Sequence, residues 1–144
     1  MDLEEQYDKI YRYCYFKVHQ REIAEDITQE TFLRFLESSG YRSKGKCLQY
    51  LYTIARHLCI DEYRKRKTRP LEDETVGSYS DDNMVTQISV KATLSELDET
   101  DRELLLLRYV NEVPVNVISK LYGVSRFSVY RKLLQATKEL KGKL

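Results

Sequence analysis

Tryptophan is absent from this chain, and only two prolines and five glycines interrupt its 144 residues. Strand-rich folds spend Gly and Pro on their many turns, so this scarcity points to an all-α protein. The three cysteines, Cys14, Cys47 and Cys59, are odd in number and show no CxxC spacing. That usage suits small, buried, reduced thiols in a cytosol rather than a disulfide scaffold. The two histidines, His19 and His57, stand far apart and near no ligand cluster, so neither a metal nor a cofactor is expected. No apolar run reaches the ~18 residues of a membrane span. The opening stretch MDLEEQYDKIYRYCYF is acidic and amphipathic, unlike a basic-then-apolar leader, and a cytoplasmic protein is expected. GxSxG, HExxH and P-loop signatures do not occur, and no paired-carboxylate pocket is visible, so an enzyme is not expected.

What the chain does have is charge, 33% of its residues, in separate blocks. Residues 1–71 carry a net +3, residues 72–101 a net −8, and residues 102–144 a net +6. Two basic blocks around an acidic one suggest two anionic contacts joined by a repelling tether.

Apolar residues at helical spacing recur on both sides of that tether. Residues 3–18 place Leu3, Tyr7, Ile10, Cys14 and Val18 on one stripe. REIAEDITQETFLRFLE follows, with Ile23, Ile27, Leu33 or Phe32, and Leu36 as its expected buried side. SSGYRSKGK breaks the pattern with two glycines and three serines. A long helix is then expected from about Cys47 to Lys65, with Leu48, Leu51, Ala55, Leu58 and Glu62 along one line. Residues 68–92, including PLEDETVGSYSDDN, read as an acidic linker with little to bury.

The last third is helical again. LSELDETDRELLLLRYV offers Leu94, Leu97, Leu104, Leu105, Leu107 and Val110 as core. Pro114 at a first turn introduces VNVISKLYG; Gly123-Val124 make a turn, and Ser125 caps a last helix. Val129, Leu133, Ala136 and Leu140 form its buried stripe, and Phe127, Arg131 and Lys138 lie opposite. This is the grammar of a helix-turn-helix, whose second helix enters the DNA major groove. Arg131 and Gln135 are donors suited to base edges, and Arg126, Ser128 and Lys132 suit phosphates. A core helix with a solvated basic back is the competing reading.

AEDITQETFLRFLE followed by YLYTIARHLCIDEYRKRK resembles the promoter-melting domain of the sigma-70 family, in particular its small extracytoplasmic-function sigma factors. The residues that match the family's first motif are Ala24, Glu25, Asp26, Gln29, Glu30 and Phe32. Leu51, Ile54, Ala55, Arg56, Asp61 and Arg64 match its second. Residues 102–140 are similar to the family's −35-binding domain. The resemblance implies an all-α fold of two small helical domains joined by an acidic linker. Residues 1–67 would bind core polymerase and melt the −10 element, 68–92 would be the linker, and 93–144 would be a helix-turn-helix domain reading the −35 element.

The resemblance also implies partners and site residues: bacterial core RNA polymerase, promoter DNA and, in many relatives, an anti-sigma factor. Asp26, Gln29 and Glu30, at i, i+3 and i+4, share a helix face that would dock on a coiled coil of the polymerase's largest subunit. Arg42, Ser43, Lys44 and Lys46 of the Gly/Ser loop, with His57, Asp61, Arg64 and Lys65, would contact −10 DNA. Tyr50, Tyr52 and Tyr63 are rings available for stacking on freed bases, Tyr50 being expected partly in the core. An intrahelical ion pair is the alternative for Asp61 and Arg64. The −35 contacts would come from Arg126, Phe127, Ser128, Tyr130, Arg131, Lys132 and Gln135.

Several positions depart from the family pattern. Its tryptophan is Tyr50 here, its asparagine after Ala-Arg is His57, and Val117 replaces a usual glutamate. Phe127 stands where the recognition helix usually has glycine, forbidding close backbone approach and offering a ring to a thymine methyl. A stand-alone helix-turn-helix regulator and a polymerase-binding decoy are the rival functions. The first would need two-fold symmetry, whereas this chain has two unlike DNA-facing halves.

Overall fold

The computed structural model describes residues 2–38, 46–67 and 97–143. The chain divides into two compact units, Met1–Gly77 and Ser78–Leu144, and among the described residues the regular structure is entirely helical. The expected linker, Leu94, and the loop residues Arg42, Ser43 and Lys44 lie outside the described residues.

The first unit contains α1 (Leu3–Val18), α2 (Arg21–Glu37) and α3 (Cys47–Lys67), each packed on the other two. The Asp2 carboxylate caps α1 by accepting the Glu4 and Glu5 N–H groups at 3.0 and 3.3 Å. His19 ends α1 in the left-handed conformation, φ 58°, with its N–H donating to the Tyr15 carbonyl at 2.8 Å. That reversal leaves a two-residue link to α2 and accounts for His19 as a cap.

The core holds Ile10, Tyr13, Cys14, Val18, Ala24, Ile27, Phe32, Phe35, Leu51, Tyr52, Ile54, Ala55 and Cys59. Two stripes differ from the sequence expectation. On α2, Leu33 and Leu36 are exposed, while Thr28 and Thr31 are fully buried. The threonine hydroxyls donate to the carbonyls one turn back, Ala24 at 2.6 Å and Ile27 at 2.7 Å, so their burial leaves no donor unsatisfied. Small side chains there let α2 approach both neighbours. On α3 the buried line runs through Leu51, Tyr52, Ala55 and Cys59, with Leu48, Leu58 and Glu62 half-buried at its edge.

The second unit begins with α4 (Glu99–Leu105), which widens into a π-helical turn over Leu106–Val110. The Asn111 N–H closes that turn on the Leu106 carbonyl at 2.9 Å. The extra residue rotates the end of the turn off the apolar stripe, so Val110, expected in the core, is exposed. Pro114 precedes α5 (Val115–Tyr122) as its N-cap residue. Gly123 ends α5 at φ 66°, and α6 (Arg126–Lys143) follows. The Ser125 hydroxyl accepts the Ser128 N–H at 3.1 Å, the cap expected for α6. Leu97, Leu104, Leu105, Leu107, Val113, Val115, Ile118, Val129, Leu133 and Ala136 form the core, and Leu140 packs against the Leu97–Leu105–Ala136 cluster.

Candidate functional site

On α2, the buried face of Ala24, Ile27, Thr31 and Phe35 leaves Asp26 and Gln29 exposed and Glu30 half-exposed. Glu30 pairs with Arg34 one turn later, Oε1 to Nε at 2.8 Å. Arg34 carried no expectation, although its i, i+4 spacing from Glu30 was a visible signal. Both partners are about half exposed, so the pair is readily exchanged for a charge on another molecule.

A groove of about 600 Å³ runs between α2 and α3. Asp26, Glu30 and Arg34 line one wall; Asp61, Arg64 and Lys65 line the other, and Ile27 and Leu58 contribute apolar lining. Residues expected to meet two different macromolecules therefore share one groove. Arg64 and Asp61 are exposed, and among the described residues no ion pair joins them. The acid–base pair formed nearby is Glu62 with Arg66, 3.7 Å apart.

The outer side of α3 presents His57, Ile60, Tyr63 and Lys67, with Lys46 just before the helix. The Lys67 ammonium lies 4.9 Å from the Tyr63 ring centroid. Tyr50 is half-buried, 6.2 Å from Phe35 ring to ring. Tyr52 does not join the exposed rings: it is 1% exposed and meets Tyr13 edge to face at 5.7 Å. Arg66 also turns inward from the basic run, donating to the Val18 carbonyl.

In the second unit, α6 buries Val129, Leu133 and Ala136 and turns the opposite side to solvent. Arg126, Phe127, Tyr130, Arg131, Lys132 and Gln135 are exposed, and Ser128 is half-buried at the cap. The Arg131 guanidinium sits 5.4 Å from the Phe127 ring centroid. Burial and the nearby Glu139 and Asp98 raise the pKa of Asp101 on α4, and Lys132 of α6 opposes them. A cleft of about 300 Å³ adds residues the sequence did not single out: Arg108, Glu112 and Asn116 line it with Arg126 and Tyr130. Their elements are distant in sequence, and only the turn before α5 brings them to the start of α6.

Residues 3–69 match the family model for Sigma-70 region 2. The chain is 29% identical over 141 residues to the ECF RNA polymerase sigma factor SigM of Bacillus subtilis, covering 92% of this chain and 86% of SigM. It is 28% identical over 151 residues to the ECF RNA polymerase sigma factor BldN of Streptomyces coelicolor, covering 96% of this chain and 57% of BldN. Among solved structures, the sigma factor RpoE of Bartonella quintana, crystallised with the anti-sigma factor NepR, shares the fold with a TM-score of 0.68. That likeness covers 95% of this chain and 90% of RpoE at 16% identity. Among the described residues, no helix is long and apolar enough to cross a membrane.

Proposed function

We propose that the chain is an extracytoplasmic-function sigma factor of the sigma-70 family, an alternative sigma factor for transcription initiation, and that its two units divide promoter recognition between them. The first unit docks core RNA polymerase through Asp26, Gln29 and Glu30. Its exposed carboxylates meet basic side chains on a coiled coil of the polymerase, and Arg34 is displaced from Glu30 as they do. Lys46, His57, Asp61, Arg64 and Lys65 face −10 DNA with Tyr63, the rings and cations suiting bases that have left the duplex. Arg42, Ser43 and Lys44 belong to the same assignment from sequence. The second unit is a helix-turn-helix domain that places α6 in the major groove of the −35 element. There Arg131 and Gln135 face base edges, and Arg126, Ser128 and Lys132 face phosphates.

Residues 68–92 serve as the tether between units, their acidic character keeping them off the DNA on either side. The protein works in the bacterial cytoplasm. An anti-sigma factor, a partner of the kind crystallised with the Bartonella protein, covers the polymerase-docking surface when transcription is held off.

One observation carries this reading. The described residues assigned to −35 DNA stand on the outer side of a helix whose inner side already completes a core. Nothing in the fold requires Phe127, Arg131 or Gln135 where they are. Run-off transcription with purified core polymerase, on DNA from upstream of this protein's own gene, tests the whole assignment. The Asp26→Arg/Glu30→Arg variant is expected to lose both the transcript and core binding. The Arg131→Ala/Gln135→Ala variant is expected to keep core binding and lose most of the transcript. Sequence-specific DNA binding without any association with core polymerase would overturn the reading in favour of a stand-alone regulator.

A further inference from the structure

Phe127 is 71% exposed in the first turn of α6, and burial of that helix is complete without it. Phe127 is not alone: Tyr130 and Leu134 on the same side of α6 are exposed too, and a contiguous exposed apolar patch of this kind marks a binding surface. One turn later Arg131 holds its guanidinium 5.4 Å from the ring centroid. Among the described residues Arg131 forms no ion pair, so the ring is what orients it. Stacking on an aromatic face restrains the long arginine side chain and leaves its planar fork of N–H donors free at the edge.

The start of α6 is itself fixed by the Ser125 hydroxyl bonded to the Ser128 N–H. The pair is thus an apolar ring and a bidentate donor side by side at the N-terminal end of the helix, the end that contacts base edges in a helix-turn-helix. In the major groove only thymine offers a methyl group, and guanine offers two acceptors, O6 and N7, to an arginine fork. We propose that Phe127 and Arg131 act as one unit that reads a thymine beside a guanine in the −35 element. Phe127 covers the thymine methyl, and Arg131, aligned by the ring, bonds guanine O6 and N7. This rests on the placement of α6 in the major groove given above.

The side of α6 that carries Phe127 continues into Tyr130 and Leu134, 58% and 60% exposed, at i+3 and i+7. Such a ridge also has the form of a protein-docking surface, but Arg126, Arg131 and Lys132 surround its first turn with positive charge. That surrounding favours DNA as the occupant of the Phe127 end.

The test uses the full chain assembled on core RNA polymerase and a duplex library randomised across the −35 region. The wild type is expected to enrich a thymine adjacent to a guanine. Replacing that thymine by deoxyuridine, which removes only the methyl, should weaken binding about fourfold. Phe127→Ala should abolish the effect of deoxyuridine and lower selection for the guanine as well, because Arg131 loses its guide. Arg131→Ala should abolish selection for the guanine. Circular dichroism melts of both variants identify any loss that is merely unfolding, and Phe127→Leu, which keeps apolar bulk without a ring, should retain the methyl preference and lower guanine selection as Phe127→Ala does.

Enrichment of a −35 sequence in which neither base depends on these residues would overturn the paired readout alone. No enrichment of any sequence by the wild type would overturn the major-groove placement with it. Unchanged selection together with lost core association in Phe127→Ala would reassign the ridge to a protein contact.

Discussion

Arg66 Nη1 donates to the main-chain carbonyl of Val18 at 3.0 Å, joining the last turn of α3 to the last residue of α1 across 48 positions of sequence. The carbonyl is one of those a helix end leaves without an intrahelical partner. A charged donor therefore closes α1 on α3, while Glu62 holds the same guanidinium from the other side at 3.7 Å. Position 66 belongs to the fold, although the run RKRK in which it lies looks like a uniform track for DNA.

Arg66→Ala should destabilise the protein by about 1–2 kcal/mol in urea unfolding, the cost of a lost charge-assisted bond at a partly exposed site. Its Nη2 is buried without a partner, which keeps the expected loss at the modest end. Arg64→Ala, one turn-edge away and exposed, should leave the unfolding midpoint unchanged and weaken promoter binding. Equal destabilisation by both would show that the Val18 contact contributes nothing.

Two of the three tyrosines of α3, Tyr52 and Tyr63, should separate in the same manner. Tyr52 is buried against Tyr13, and Tyr52→Ala should cost roughly 3–5 kcal/mol, as removal of a large core ring does. Tyr63 is 58% exposed, with Lys67 over its ring. Tyr63→Ala should change stability by under about 0.5 kcal/mol. Its expected effect is on promoter opening, read as weaker permanganate reactivity of unpaired thymines at unchanged core binding. Unaltered opening would remove Tyr63 from the −10 assignment.

These pairs show where sequence reading reaches its limit. The stripe of α6 was legible because its buried residues, Val129, Leu133 and Ala136, repeat at simple spacing and the charged side is left over. Gly123 and Ser125 were legible because turn and cap chemistry are local. On α2 and α3 the buried arc is wider than one stripe. Threonines that satisfy their own hydroxyls then enter the core, and Leu33 and Leu36 fall outside it. The π-helical turn had no sequence signal, and with it went the expectation that Val110 is buried. Asp26 and Glu30 were readable as an exposed acidic face, but their sharing a groove with Asp61 and Arg64 depends on how α2 and α3 cross.

The link between α5 and α6 makes a further prediction. Gly123 has φ 66°, and a Cβ built there would meet nothing within 4 Å, so the cost of Gly123→Ala is confined to the backbone. About 1 kcal/mol is expected, with Gly123→Asn costing less because Asn tolerates the left-handed region. Ser125→Ala should cost about 1 kcal/mol by freeing the Ser128 N–H. Each should lower −35 affinity only through fraying of the first turn of α6, so hydrogen exchange at Ser128 and Val129 should rise in step. Loss of affinity with no change in exchange would mean that the Ser125 hydroxyl contacts DNA directly.

Asp101 supplies a pH dependence of definite sign. Burial at the interface of α4 and α6 raises its pKa above the ordinary 3.8, the negative charges of Glu139 and Asp98 raise it further, and Lys132 opposes them. A carboxyl that holds its proton more tightly when folded penalises the native state once it ionises. The penalty appears as pH rises from the unfolded value through the folded one, and is present in full at neutral pH. Asp101→Asn should therefore stabilise the second unit at neutral pH, by less than about 1 kcal/mol because the site is only partly shielded from solvent. The advantage should vanish as pH falls below the unfolded value, where the wild-type carboxyl is protonated in both states. Glu139→Gln should give a gain in the same direction, and the double variant should gain less than the sum, because each relieves the same repulsion. Thermal melts of the three variants across the acid range check this. The opposing forces are Lys132 and the helix dipole, which favour an anion in the first turn of α4, so destabilisation by Asp101→Asn at neutral pH would show these two outweighing burial and the repulsion from Glu139 and Asp98.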